Sequence, residues 1–150
     1  MFITSHVYAG ALIGSVCEDR VVPAFVAGFA SHLAMDAMPH WGDDTLSYGD
    51  ERFLRIARRD GVLGLVSLVG LVAAAPGRRR AVLAAMAGST LLDADKPCAV
   101  FFGVNPFPRW LDRFHHWIQN ESPRRIPHET AVGLALAAVT IPMLRRRAAS

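Results

Sequence analysis

The chain has little of what defines several common protein classes. Its 150 residues include only two cysteines, which excludes a disulfide scaffold. Charged residues make up 19%, against about 25% in an average soluble domain. Hydrophobic residues reach 52%, which excludes intrinsic disorder, because disordered chains have low hydrophobicity. Few segments alternate apolar and polar residues, so strands are poorly supported. A very apolar helical bundle remains, either soluble or embedded in a membrane.

Familiar catalytic motifs are also missing. The chain has no Gly-x-Ser-x-Gly turn, no Gly-rich phosphate loop, no Cys-x-x-Cys and no His-Glu-x-x-His. Cys17 and Cys98 are expected at opposite ends of the bundle, too far apart for a disulfide. The net charge of +3 does not predict a nucleic-acid partner, because seven of the 16 basic residues flank apolar runs without an interleaved aromatic patch.

The apolar runs predict an all-α fold, with residues 1–150 forming one helical domain. We expect an up-and-down bundle of about five helices, with one short helix lying across one end. Prolines near the predicted helix ends support these bounds, whereas Pro142 falls inside the last helix. Residues 41–51 and 94–107 are expected to be loops. The predicted helices are Ser5–Cys17, Val22–Met38, Asp50–Ala75, Arg79–Asp93, Pro108–Asn120 and His128–Arg147.

Three uncharged runs favour a membrane location over a soluble bundle, which stays the alternative. The longest, Gly61–Gly77, has 17 residues and would span about 25 Å, slightly less than the roughly 30 Å hydrocarbon core of a bilayer. Triple arginines at 78–80 and 145–147 lie beside apolar runs, which is typical of membrane proteins. We therefore predict an integral protein of the inner membrane, with these arginines in the cytoplasm and the opposite end outside.

Up-and-down threading places all six histidines at one end of the bundle, here called the histidine pole; the other end is the arginine pole. Eleven of the thirteen acidic residues and nine of the 16 basic residues fall at the histidine pole. This end is therefore negative before any histidine is charged. A negative, imidazole-rich surface predicts a site for a divalent cation. The histidines are His6, His32, His40, His115, His116 and His128.

His32 and Asp36 are the sharpest local signal. They lie four residues apart, on one face of an otherwise apolar helix, where a polar group is costly unless it is paired or bound to metal. His40 follows four residues later, beyond the proline that ends the helix. We predict these three residues as metal ligands. A simple hydrogen bond between His32 and Asp36 at the helix end is the alternative.

Other residues at the histidine pole complete the predicted site. Asp93 and Asp95 follow a helix, where pairing with Lys96 is the alternative role. Adjacent helical residues point about 100° apart, so only one of the two neighbouring histidines in the short helix can face the site. Helix capping is the alternative for the two histidines at helix starts and for Glu129. The predicted ligands are His32, Asp36, His40, His6, Asp93, His128 and His115.

Two segments resemble a known group of proteins. Gly28-Phe-Ala-Ser-His32-Leu-Ala-Met-Asp36-Ala-Met-Pro-His40-Trp41 is similar to the Ser-His-x-x-x-Asp-x-x-Pro-His segment of small bacterial proteins classed as membrane-bound metal-dependent hydrolases. Gly88-Ser-Thr-Leu-Leu-Asp93-Ala-Asp95-Lys96 resembles their Gly-x-x-x-Pro-Asp-x-Asp-His segment, and His6 matches their N-terminal histidine. The group is related in pattern to the zinc-dependent phospholipase C and P1-type nuclease superfamily. This chain departs from those patterns at three points. Leu92 stands where the group has a proline, and Lys96 stands where a histidine is common. The His-x-x-x-Glu helix of the soluble phospholipases has no counterpart here.

The resemblance implies a hydrolase of a phosphoester, such as a phospholipid headgroup. It implies one or two divalent ions, zinc or manganese, that lower the pKa of a bound water so that the hydroxide attacks phosphorus. Glu129 or Asp95 would then serve as general base, and Arg124 or Arg125 would hold the phosphate. Membrane lipid and a small phosphoester are the implied partners. The alternatives are a non-catalytic membrane protein that binds or transports a divalent metal, and a scaffold that binds a partner.

Overall fold

The computed structural model describes residues 1–43 and 45–148, and these fold into seven α-helices. The predicted all-α fold is confirmed. Asp44, one of the carboxylates assigned to the histidine pole, and residues 149–150 lie outside the described part. Two short 3-10 turns occur at Leu92–Ala94 and Pro123–Arg125. The helices are α1 Ile3–Val16, α2 Val21–Ala37, α3 Glu51–Ala73, α4 Arg79–Thr90, α5 Asp95–Phe102, α6 Arg109–Ile118 and α7 Ile126–Ala148.

Two expectations about local structure were wrong. Part of the expected loop at 94–107 is α5, which tolerates Pro97 in its first turn and ends at Gly103, where φ is +67°. The chain also forms a parallel pair of two-residue strands, β1 Pro39–His40 and β2 Asn120–Glu121, with His40 opposite Glu121. An eight-residue helix and a two-residue strand are too short to produce a readable hydrophobic period.

Small residues allow the three central helices to approach closely. α4 packs against both α1 and α2. Gly14 of α1 faces α4, and a Cβ atom at this position would lie 2.7 Å from the carbonyl oxygen of Ala81. Gly28 of α2 lies against the backbone of Ala85, and Gly88 of α4 against that of α2. Helices that carry glycine at these positions can therefore pack with their backbones in contact.

The outer helices α3 and α7 pack on α1 and expose large apolar side chains. Val62, Leu65 and Val66 of α3 and Leu134 of α7 are all more than half exposed. Within the described residues, one helical stretch, Pro123–Arg147, is long and apolar enough to cross a membrane, and only 11% of its most apolar window is buried. α1 and α2 are apolar but shorter. Pro142 lies inside α7, as predicted.

The helices run up and down, as expected. At the arginine pole, Arg78 Nη1 donates to the carbonyl oxygen of Ser15, and Asp19 Oδ1 accepts from the backbone N–H of Ala81. The start of α1, the end of α2 and the turn after α4 meet at the opposite end, where His6 and Asp36 are in contact. Both cysteines are free thiols within the described chain.

Candidate metal centre

The C-terminal turn of α2 supplies the first two groups of the candidate centre. His32 and Asp36 are fully buried, and His32 Nε2 lies 3.2 Å from Asp36 Oδ2. Their spacing of four residues puts both on the face of α2 that points into the bundle. The predicted pair is therefore present, and it belongs to a larger cluster.

α4 sets the orientation of the His32 ring. His32 Nδ1 donates to the carbonyl oxygen of Ser89 at 2.8 Å. In the neutral imidazole a proton on Nδ1 leaves a lone pair on Nε2. The nitrogen directed at Asp36 is therefore the one that would bind a metal ion. A backbone carbonyl that fixes the tautomer in this way is typical around metal-binding histidines.

α6 contributes a second imidazole. His115 Nε2 lies 2.9 Å from Asp36 Oδ2 and 3.0 Å from His32 Nε2. His115 is only 3% exposed, whereas its neighbour His116 is exposed. This confirms that only one of the two histidines faces the site, as the helical angle requires. Three ligand atoms from two elements therefore converge on one point.

Asp93, in the turn after α4, brings a second carboxylate. Its Oδ1 accepts from Lys96 Nζ at 2.7 Å. Its Oδ2 is buried, has no hydrogen-bond partner among the described residues, and lies 3.6 Å from His6 Nε2. Burial acts to raise the pKa of Asp93, but the Lys96 ammonium, the His6 ring and the N-terminal amino group together outweigh burial and hold that pKa well below its usual range. Asp93 is therefore a carboxylate with one free oxygen.

These four residues can hold a metal ion. His32, Asp36, Asp93 and His115 each offer one ligand atom, and these atoms lie within 4.8 Å of one another. Donors bound tetrahedrally to one zinc ion lie about 3.3–3.5 Å apart, given zinc–ligand distances of about 2.0–2.2 Å. The separations of 2.9, 3.0 and 3.2 Å among Asp36 Oδ2, His115 Nε2 and His32 Nε2 are only a few tenths of an ångström shorter.

His6 lies at the edge of this group, which we call the metal cluster (His32, Asp36, Asp93 and His115). Its ring stacks on that of His32 with centroids 4.3 Å apart, and its Nε2 is 3.2 Å from Asp36 Oδ1. The amino nitrogen of Met1 is 3.3 Å from the same oxygen. The structure therefore places the predicted ligand His6 beside the cluster.

His40 is in a separate pair. Its Nδ1 donates to the carbonyl oxygen of Met38 at 2.9 Å, and its buried Nε2 lies 3.4 Å from Glu121 Oε1. Burial acts to raise the pKa of Glu121, but the neighbouring His40 imidazole, the N-terminal amino group and Lys96 together outweigh burial, so that this pKa lies below its usual value. The sequence analysis did not predict Glu121, because only the pairing of β1 with β2 brings it to His40.

Glu129 and His128 point in different directions. Glu129 is 1% exposed, and its carboxylate accepts from the backbone N–H groups of Phe2 and Trp41 and from Ser5 Oγ. His128, its neighbour in α7, is exposed and is not brought into the metal cluster. The contacts of Glu129 are those of a group that fixes the start of α1, and they lend no support to its predicted role as general base.

Asp95 and Lys96 lie next to the cluster. Asp95 is buried, and its Oδ1 accepts from the backbone N–H of Lys96 and lies 3.6 Å from Lys96 Nζ. Burial acts to lower the pKa of Lys96, but the charges of Asp93 and Asp95 outweigh it and raise that pKa above its usual range. The pairing of these carboxylates with Lys96, considered as an alternative above, is therefore present. It leaves only Asp93 with an oxygen directed at the cluster.

Two further side chains show how the pole departs from the expected pattern. Gln119 Nε2 lies 3.3 Å from His115 Nε2, at the position where the resemblance would require a glutamate. Arg125, considered as a phosphate-binding residue, donates from Nη1 to Asn120 Oδ1 at 2.9 Å. Neither contact was predicted, because each depends on how the segment between α6 and α7 folds.

Comparisons of the chain with protein-family models, with curated proteins and with solved structures gave no match. The resemblance to membrane-bound hydrolases therefore stays a prediction based on the two motifs. The metal cluster stands apart from that resemblance, because it follows from the positions of His32, Asp36, Asp93 and His115 alone.

Proposed function

We propose that this protein is embedded in a membrane, binds a divalent metal ion at the metal cluster and uses it to hydrolyse a phosphoester. The convergence of His32 Nε2, His115 Nε2 and Asp36 Oδ2 carries this proposal. Burying such groups together is costly unless they are paired or bound to metal. A cation between them would balance the carboxylate charges and use the lone pair on His32.

The surface of α3 supports the membrane location. Its first half exposes arginines 52, 55, 58 and 59, whereas apolar side chains are exposed from Val62 onward. The change occurs at Asp60, whose carboxylate accepts from the backbone N–H groups of Ile3 and Thr4. The point at which the surface of α3 changes from charged to apolar therefore lies beside the start of α1. This arrangement favours a metal cluster near the surface of the membrane.

The α7 segment supports the same location. Pro123–Arg147 has 25 residues, which span about 37 Å at about 1.5 Å per residue, and its uncharged part, residues 130–144, spans about 22 Å of a hydrocarbon core of roughly 30 Å. It ends in three arginines at the arginine pole. Because triple arginines lie directly beside apolar runs at that pole, we place it in the cytoplasm and the metal cluster on the extracytoplasmic face of the inner membrane.

Zinc is the metal we favour, with manganese as the alternative. Two imidazoles and two carboxylates form a nitrogen–oxygen ligand set of the kind that zinc accepts. His32, Asp36, Asp93 and His115 would hold the ion. A bound divalent ion would act as a Lewis acid toward a phosphoryl oxygen and would lower the pKa of a bound water.

Residues around the cluster would position its ligands and hold protons. The carbonyl oxygen of Ser89 orients His32, and Lys96 orients Asp93. Because His40 Nδ1 donates to a carbonyl, its Nε2 is the nitrogen that faces Glu121, 3.4 Å from Oε1. An imidazole and a carboxylate paired in this way can accept and return one proton at a reacting oxygen.

The burial of the ligands favours a second candidate function, a non-catalytic protein that binds or transports a divalent metal. His32 and Asp36 are 0% exposed and His115 is 3% exposed. Catalytic zinc sites keep one coordination position open for water or substrate, whereas structural sites are closed. Both functions require the same ion, so a measurement of metal content comes before any assay of activity.

The first experiment is elemental mass spectrometry of the detergent-purified protein, with any tag at the C-terminus because the Met1 nitrogen contacts Asp36. We expect one equivalent of zinc or manganese in the wild type and its loss in the double variant His32→Ala/Asp36→Ala. The matched control is His116→Ala, which removes an exposed imidazole next to the cluster. A folded wild-type protein without metal, even after zinc is added, would contradict the proposal.

The second experiment separates hydrolysis from metal binding. We expect the metal-loaded protein to hydrolyse a chromogenic phosphodiester or phospholipid in vesicles, and His32→Ala to abolish this activity while His116→Ala retains it. One equivalent of metal without hydrolysis of any phosphoester would favour the non-catalytic function.

A further inference from the structure

α6 has two faces of different character. His115 points inward from it to the metal cluster. Trp110, Phe114 and Trp117 are 66%, 40% and 79% exposed. These three aromatic residues stand at positions i, i+4 and i+7, so they form one stripe on the outer side of the helix. A helix of ten residues therefore carries a metal ligand on one side and an exposed aromatic stripe on the other.

Positive charge accompanies the aromatic stripe. Arg109 and Arg113 are exposed on α6, directly before Trp110 and Phe114 in the chain. The acidic residue of the helix, Asp112, accepts from Asn105 Nδ2 at 2.6 Å and is half-buried. Tryptophan beside arginine on an exposed helix face is typical of helices that lie in the headgroup region of a bilayer.

The position of α6 in the chain agrees with this environment. α6 ends at Ile118, and the candidate membrane span begins at Pro123. Only residues 119–122 separate them, and these include strand β2. The start of a membrane span lies at the lipid–water boundary. The chain therefore holds α6 close to that boundary.

We propose that the aromatic stripe and the two arginines anchor α6 in the headgroup region of a bilayer that contains anionic phospholipid. This inference rests on the membrane location in the proposed function and deepens it. The tryptophan rings occupy the boundary between headgroups and acyl chains, and the guanidinium groups bind lipid phosphates. Because His115 belongs to the same short helix, the anchor sets the metal cluster at the depth of lipid headgroups.

The test measures the depth of the tryptophans by fluorescence quenching. The full-length protein is reconstituted in vesicles of phosphatidylcholine and phosphatidylglycerol. Bromine atoms are attached to the acyl chains either near the headgroup (shallow) or near the bilayer centre (deep). We expect shallow bromines to quench more strongly than deep ones. The double variant Trp110→Phe/Trp117→Phe leaves Trp41 as the remaining tryptophan and should lose this shallow-quenched component.

A control in α7 separates failure of the anchor from failure of the membrane location. Leu134→Trp, placed at an exposed position of α7 in the Trp110→Phe/Trp117→Phe background, should be quenched most by deep bromines. If position 134 is quenched but Trp110 and Trp117 respond only to aqueous acrylamide, the anchor is overturned and the membrane location stands. Deep quenching of Trp110 and Trp117 also overturns the anchor.

The metal content of the same samples reports separately on the metal cluster. If bromines reach neither α6 nor position 134, the membrane location fails and the inference fails with it, whatever the metal content. Arg109→Gln/Arg113→Gln should weaken shallow quenching in vesicles with phosphatidylglycerol, unlike the control Arg145→Gln/Arg146→Gln. Identical quenching in both variants would overturn anionic phospholipid as the occupant.

Discussion

The two poles of the bundle both carry charged residues at helix ends, but they use them differently. At the arginine pole, Arg78 and Asp19 bind backbone groups, and Asp19 is only half-buried. At the histidine pole, His6 Nδ1, His40 Nε2 and Asp93 Oδ2 are buried without a hydrogen-bond partner in the described part of the chain. Charge at a helix end therefore does not identify a site. Buried polar atoms without a protein partner distinguish the histidine pole, because their desolvation is otherwise uncompensated.

The same contrast divides the carboxylates within the histidine pole. Asp60 and Glu129 each accept two backbone N–H bonds and one side-chain hydroxyl bond, from the start of α1 and, for Glu129, also from Trp41. Asp36 instead faces imidazole nitrogens of three histidines. Carboxylates that bind backbone groups hold the fold together, and those that face imidazoles are the candidates for binding metal.

The largest expected effect comes from Asp36→Asn. The change keeps the shape of the side chain but removes the charge on which the metal cluster converges. Replacing a residue that only supports a metal ligand lowers metal affinity by about 10–100-fold. Asp36 is itself a predicted ligand, so we expect its metal affinity to fall by at least about 100-fold. Zinc titration and elemental analysis would measure it. Asp60→Asn, the same change at a carboxylate that binds backbone, should retain the metal; one full equivalent in Asp36→Asn would remove Asp36 from the site.

Gly28→Ala tests the packing that holds the cluster together. The added Cβ would overlap the carbonyl oxygen of Ala85, so that α2 and α4 must separate at an expected loss of about 1–3 kcal/mol in the free energy of unfolding. Gly70→Ala is the matched control, because no described atom lies within 4 Å of the new methyl group there; it should stabilise the helix by about 0.5–1 kcal/mol. Denaturation in detergent would compare them, and equal effects would contradict the close α2–α4 contact.

Glu129→Gln separates a positioning role from a catalytic one. The amide keeps one acceptor oxygen, but its NH2 group cannot accept from a backbone donor such as the N–H of Trp41. We expect a loss of about 1–3 kcal/mol in the free energy of unfolding, with full metal content. His128→Ala, at the exposed neighbour, should change neither quantity. Unchanged stability with loss of hydrolysis would instead support the general-base role.

The smallest expected effect is that of Asp19→Asn at the arginine pole. Asparagine keeps an acceptor for the N–H of Ala81 and suits the left-handed conformation of this residue, whose φ is +59°. The exposed ion pair with Arg80, at 3.9 Å, contributes little. We expect unfolding free energy within about 0.5 kcal/mol of the wild type and unchanged metal content. A loss of metal here, comparable to that in Asp36→Asn, would contradict the difference between the poles.

Much of this architecture could be predicted from local patterns. The apolar runs predicted six of the helices to within a few residues, because a helix of three or more turns repeats its pattern several times. His32 and Asp36 could be paired because a spacing of four residues defines one helix face. The concentration of histidine and carboxylate at one pole followed from helix order alone.

Local patterns could not distinguish groups that are chemically alike. In the sequence, Asp36 and Asp60 are both carboxylates within predicted helices. Their different roles depend on the residues that distant segments of the chain bring next to them. His115 lies 79 residues from Asp36 in the chain, and Glu121 reaches His40 only through the pairing of two short strands. The helices and the polarity of the bundle could be predicted, because they depend on residues close together in the chain. Which carboxylates and imidazoles converge could not, because that depends on how α6 and the segment before α7 close over the pole.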